Sequence, residues 1–109
     1  MISYFVKYEG CQSNIQSFLE YYKTKHTDIL KQLDEIQHLT LHTPVEWTDP
    51  CSVQKGGLSL MAQMSFKTVE ALNRSLASEA RLKARTDFEN FPKFEGHVFH
   101  QALSAEKIF

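Results

Sequence analysis

Imidazole is the side chain whose charge changes near neutral pH, so the five histidines of this 109-residue chain are the first place to look for chemistry. His26 stands in a run where Phe18, Tyr22, His26 and Leu30 recur every four residues, with Tyr21 and Lys25 beside them. On a helix that spacing makes one ridge. A histidine on this ridge occupies a place where leucine is expected. It reads either as a partly buried imidazole satisfied by a hydroxyl or carbonyl, or as a neutral base facing an apolar cavity and able to move a proton. Under the second reading Tyr22 orients the ring or contacts substrate, with Tyr21 as a further support.

The remaining candidates are weaker. His38 and His42 lie four apart in a strand-like run, on one face but roughly 13 Å apart, too far to share a metal ion. His97 and His100, three apart in a strand, face opposite sides. No metal and no cofactor is expected from these spacings. Cys11 and Cys51 show no CxxC spacing and read as free thiols, and the chain has no Gly-x-Ser-x-Gly elbow. Gly56-Gly57 lacks the Lys-Ser/Thr and helix of a phosphate loop and reads as a turn. Trp47, beside Glu46 and Asp49, is either a lid that contacts substrate or a loop anchor. The charged run Glu79 to Arg85 reads as a solvated helical face.

These side chains must be positioned by regular elements. Ile2 to Tyr8 alternates, with Ile2, Tyr4, Val6 and Tyr8 on one face, and predicts a strand ending at Glu9-Gly10. Ser13 and Gln16 have capping-box spacing, and a long one-sided helix is predicted from Ile15 to Leu33. Glu35 to Thr43 predicts a second strand, Pro44 to Gly57 the one long irregular segment, and Leu58 to Phe66 the clearest strand. A helix with Val69, Leu72 and Leu76 inward follows, then a more polar helix from Ser78 towards Phe88, stopped at Phe91-Pro92. His97 to Leu103 predicts the last strand.

The order strand, helix, strand, strand, helix, strand predicts an α+β, ferredoxin-like βαββαβ fold: a four-stranded antiparallel sheet with both helices on one face. Two helices cover one face only. Three strands nevertheless carry apolar side chains on both faces, Phe5 opposite Val6, Met61 opposite Leu60 and Val98 opposite Phe99, so a homodimer through the sheet face is expected. The length suits a single domain, 1–109. A net charge of −1 gives no positive field for nucleic acid. An aromatic content of 12% argues against disorder and leaves aromatics for an interface or cavity. No stretch approaches the roughly 20 apolar residues of a membrane helix, and the N-terminus has no basic leader, so a cytoplasmic protein is expected.

The stretch Phe18-Leu19-Glu20-Tyr21-Tyr22-Lys23-Thr24-Lys25-His26 resembles the F-x-x-Y-[WY]-x-x-x-H helix of EthD-like proteins, in the dimeric α/β-barrel superfamily. The strand at Met1-Ile2, the strand Leu58 to Phe66 with its Thr68-Val69-Glu70-Ala71-Leu72 helix, and Asp87-Phe88-Glu89-Asn90-Phe91 before a closing strand follow the same order. Asp28 stands where the family pattern commonly has proline, so the helix need not break or bend after His26. The resemblance implies a homodimer with its sheets face to face and a small apolar pocket in each subunit. Superfamily relatives include cofactor-independent monooxygenases, isomerases, cyclases and haem enzymes, so fold kinship leaves the reaction open. His26 is the position that carries over, with Tyr22 and Tyr21 in support. Two functions follow as expectations. One is cofactor-independent proton transfer on a small cyclic or aromatic compound; the other is a non-catalytic dimeric module that binds a hydrophobic metabolite.

Overall fold

Residues 1–11 and 15–109 are described by the computed structural model. Ser13, and with it the capping box, lies outside them. The alternating first segment forms β1 (Ile2–Cys11), followed by α1 (Ile15–Tyr21), a π-helical turn (Tyr22–His26) and α2 (Thr27–Leu30). Then come β2 (His38–His42), β3 (Leu58–Phe66), α3 (Val69–Leu76), α4 (Glu79–Asp87), a 3-10 turn (Phe88–Asn90) and β4 (Glu95–Ser104). The strands form one antiparallel sheet in the order β2-β3-β1-β4. This is the expected βαββαβ arrangement.

The core lies between the sheet and the helices. Registry pairs Tyr4, Val6 and Tyr8 with Met64, Ala62 and Leu60 on one side and with Ala102, His100 and Val98 on the other. Paired residues share a face, so these side chains all point at the helices. Phe18, Leu60, Ala62 and Phe66 are completely buried there. Thr68 and Ser78 cap α3 and α4 by accepting from the backbone N–H groups of Ala71 and Arg81, which satisfies donors that a helix start leaves unpaired.

Four sequence expectations shift. First, the long helix does not run unbroken to Leu33: it widens into the π turn and ends at Leu30. The wide turn is closed by a bond from the Thr27 N–H to the Tyr22 carbonyl, while the Thr24 and Thr27 hydroxyls donate to the Glu20 and Lys23 carbonyls. Second, β1 continues through Gly10. That residue pairs with Gly96 so closely that a Cβ on either would stand 2.3 Å from the opposite backbone oxygen, so only glycine fits at both places. Third, β2 begins at His38 and not at Glu35, whose positive φ of 66° marks the preceding turn. Fourth, Val69 faces solvent; Ala71, Leu72 and Ser75 supply the buried side of α3.

The opposite sheet face carries Phe5 and Met61 half-buried and Phe99 and Leu103 about half exposed. Polar ties cross it as well. Lys7 Nζ donates to Gln101 Oε1 at 2.8 Å, and His42 Nε2 lies 3.0 Å from Gln63 Oε1. Among the described residues no helix is long and apolar enough to cross a membrane.

Candidate active site

The ridge foreseen on the first helix is buried: Phe18, Tyr22, His26 and Leu30 all face the core. The π turn sets the outcome locally. By adding a residue to one turn it presents both His26 and Thr27 inward, where a regular helix turns one of them away.

His26 is 5% exposed, and its Nδ1 lies 2.9 Å from Asp87 Oδ2. A carboxylate only accepts, so Nδ1 carries the hydrogen and donates it, and Nε2 keeps the lone pair. Asp87 is itself held in place. Its Oδ1 accepts from the Tyr21 hydroxyl at 2.8 Å and from Asn90 Nδ2 at 3.1 Å. Burial pushes the Asp87 carboxyl up, but the hydrogen bonds from His26, Asn90 and Tyr21 outweigh it and hold the group below its ordinary value. Burial pulls the His26 imidazole below its ordinary value, against the opposing pull of the Asp87 hydrogen bond and charge. At neutral pH the pair is therefore a neutral imidazole on an ionised carboxylate.

The imidazole is boxed by rings, with Tyr22 and Phe91 each at a centroid distance of 4.8 Å. His26 lines a cavity of about 330 Å³ between the sheet and the helices. Tyr8 and Phe88 line it as well, and their rings stack at 6.2 Å. Among the described residues Nε2 makes no hydrogen bond, and it is not among the atoms sealed away without a partner. Its lone pair is unspent, on a residue that lines the cavity. The Tyr8 hydroxyl is pushed up to about 12 by burial, and Tyr22 is held well above its ordinary value by burial and by Tyr8, so both stay protonated. The arrangement has the shape and lining to accommodate an apolar ring and the chemistry to present one base to it.

The sequence-selected residues divide. His26 and Tyr22 line the cavity; Tyr21 does not, and instead fixes Asp87. Trp47 also stands outside the lining. Its ring lies under Lys55 Nζ at 4.7 Å, and Lys55 donates to its carbonyl. Cys51 is a free exposed thiol on the same loop. Sequence reasoning missed Asp87 as a site residue. One signal was present: a carboxylate in the last turn of a helix opposes the helix dipole, and such a violation of local preference marks a residue needed for something else.

The expectation for Glu79 to Arg85 is corrected. Ala84 is buried, and Arg81 and Arg85 reach the cavity and do not simply solvate a helix face. Their partners are on the sheet. Arg81 Nη2 donates to the Tyr4 hydroxyl at 3.3 Å, Arg85 Nη1 meets His100 Nε2 at 3.3 Å, and Tyr4 Oη lies 2.6 Å from His100 Nδ1.

No family model matches the chain, and no curated protein matches it. Solved structures do. An ethyl tert-butyl ether D (EthD) family protein from Bacillus halodurans superposes with a TM-score of 0.76 at 15% identity, over 97% of this chain and 99% of that one. An EthD-like protein from Ralstonia eutropha gives 0.65 at 10% identity, covering 98% and 96%. SnoaB, a cofactor-independent oxygenase from Streptomyces nogalater, gives 0.62 at 12% identity, covering 97% and 93%. At such identities the likeness establishes architecture alone: the chain shares its ferredoxin-like α+β fold with these proteins.

Proposed function

We propose that the chain is an EthD-like protein that works as a homodimer and moves a proton on a small cyclic or aromatic carbonyl compound, without a cofactor. The observation that carries this is the His26–Asp87 pair on the wall of an apolar cavity. In this reading His26 Nε2 takes a proton from a carbon beside the carbonyl; the C–H bond breaks, and its electron pair moves to the carbonyl oxygen as an enolate. Asp87 holds the ring in the required tautomer and stabilises the imidazolium that forms, while Tyr21 and Asn90 position Asp87. Tyr22, Tyr8 and Phe88 pack the ring of the substrate and keep water away. The enolate then takes its proton back at another position, closes a ring, or meets oxygen; isomerase, cyclase and oxygenase chemistry share this first step. The cofactor-independent oxygenase among the structural neighbours is compatible with it.

The test is carbon-bound hydrogen exchange. A panel of monocyclic and bicyclic ketones, 2-tetralone among them, is incubated in D₂O and followed by NMR. Wild-type protein accelerates exchange beside the carbonyl, and His26→Gln loses that acceleration. Exchange no faster than in buffer throughout the panel, together with ketone binding seen as chemical-shift changes at the cavity, overturns catalysis and leaves the non-catalytic binding module.

A further inference from the structure

The second polar group on the cavity, Tyr4 with Arg81, Arg85 and His100, has no part in proton abstraction as derived above, and its hydrogen bonds can be assigned one by one. A guanidinium has no acceptor, so the Arg85 contact requires His100 Nε2 to accept. A neutral imidazole has one hydrogen, which must then sit on Nδ1 and be donated to the Tyr4 oxygen. That oxygen also accepts from Arg81. Both lone pairs of the Tyr4 hydroxyl are thus used, and its own hydrogen has no acceptor among the described residues.

The charge around this hydrogen is uncompensated. Among the described residues neither Arg81 nor Arg85 is ion-paired; Arg81 Nη1 is anchored instead by the Leu76 carbonyl at 3.3 Å. His100 adds none, since burial and the two arginines pull its imidazole below the ordinary value. The Asp87 carboxylate does not line the cavity. An apolar cavity therefore carries two cations and an unspent O–H donor on one wall and a base on another.

We infer that this wall is an anion site, and that the cavity takes ring compounds carrying an anionic oxygen, as carboxylate, phenolate or enolate, received by the Tyr4 hydroxyl in the field of Arg81 and Arg85. The inference deepens the proposed function, because an enolate generated at His26 is such an anion, but the binding site stands without any catalysis. Charge-assisted hydrogen bonds discriminate between an anion and its neutral isostere.

Isothermal titration with 2-naphthoate and its neutral isostere 2-naphthamide tests it. Wild-type protein binds the carboxylate at least about tenfold more tightly, as charge-assisted bonding requires. Raising the salt concentration narrows the gap. Arg81→Met with Arg85→Met removes it, Tyr4→Phe reduces it, and Arg85→Lys retains most of it. His26→Gln leaves the preference unchanged while abolishing ketone exchange, so the two proposals fail separately. Equal affinity of wild-type protein for the two compounds, or a preference undiminished in the double arginine variant, overturns the inference.

Discussion

Asp87 Oδ2 lies 2.9 Å from His26 Nδ1 although 61 residues separate them. The contact joins the end of α4 to the π turn of the first helix, and it decides which imidazole nitrogen is available to a ligand. Removing the charge while keeping the shape isolates what the carboxylate does. In Asp87→Asn the hydrogen bond and the charge that hold the His26 value up both weaken, so the imidazole titrates lower than in the wild type. Nitrogen-15 NMR of the ring reads both the value and the tautomer. Hydrogen exchange on a ketone substrate falls by roughly 10²–10⁴-fold, because the carboxylate that fixes the tautomer of the base and stabilises its imidazolium is gone. An unchanged His26 titration would remove Asp87 from its assigned role.

Stability should depend on pH in a defined direction. His26 titrates below its ordinary 6.5 and Asp87 below its ordinary 3.8, so the folded protein binds fewer protons than the unfolded chain at both sites. Their contributions are fully present above those ordinary values and are lost as the pH falls. The melting temperature should therefore drop progressively from about pH 6.5 downward, first through histidine and then through Asp87. His100 shifts the same way, through burial and the neighbouring Arg85 and Arg81. His26→Gln consequently removes only part of the upper slope, and His26→Gln with His100→Gln flattens it. Calorimetry across the range checks this; a melting temperature that rises on acidification from pH 7 contradicts the assigned protonation states.

Much of this site is legible in the sequence. Apolar alternation locates all four strands because the side-chain period of a strand is independent of what it pairs with. The four-residue ridge places His26 and Tyr22 on the core for the same kind of reason. The π turn was not legible: apolar residues spaced by four or five are compatible with either hydrogen-bond register, and the choice is settled by which carbonyls the Thr24 and Thr27 hydroxyls can satisfy. Asp87 was hidden by sequence distance. Arg81 and Arg85 were hidden by composition, since arginines in a charged helix ordinarily point to water, and only the position of β4 shows that His100 and Tyr4 meet them. Trp47 stands out by its place on the long irregular segment beside Glu46 and Asp49, and that place carries no direction.

Assembly gives the last prediction. Phe99 and Leu103 lie on β4 facing away from the helices, with 49% and 45% of their surfaces exposed, and half-buried Phe5 and Met61 continue the patch across β1 and β3. Neighbouring strands bring these residues together on one face, since Phe99 pairs with Lys7 and Leu103 with Ser3. Apolar surface of this kind, even interleaved with Lys7, Gln101 and Gln63, is stabilised by a second sheet at about 25 cal/mol per Å² of apolar area removed from water. The hydrogen bonds Lys7–Gln101 and His42–Gln63 are made within the chain. Size-exclusion chromatography with light scattering should give a dimer at micromolar concentration. Phe99→Glu with Leu103→Glu, which places like charges on both copies of the patch, should give a monomer that keeps its secondary structure and its His26–Asp87 bond. A wild-type monomer under those conditions, or a dimer unaffected by the two glutamates, would show that this face is not where the copies meet.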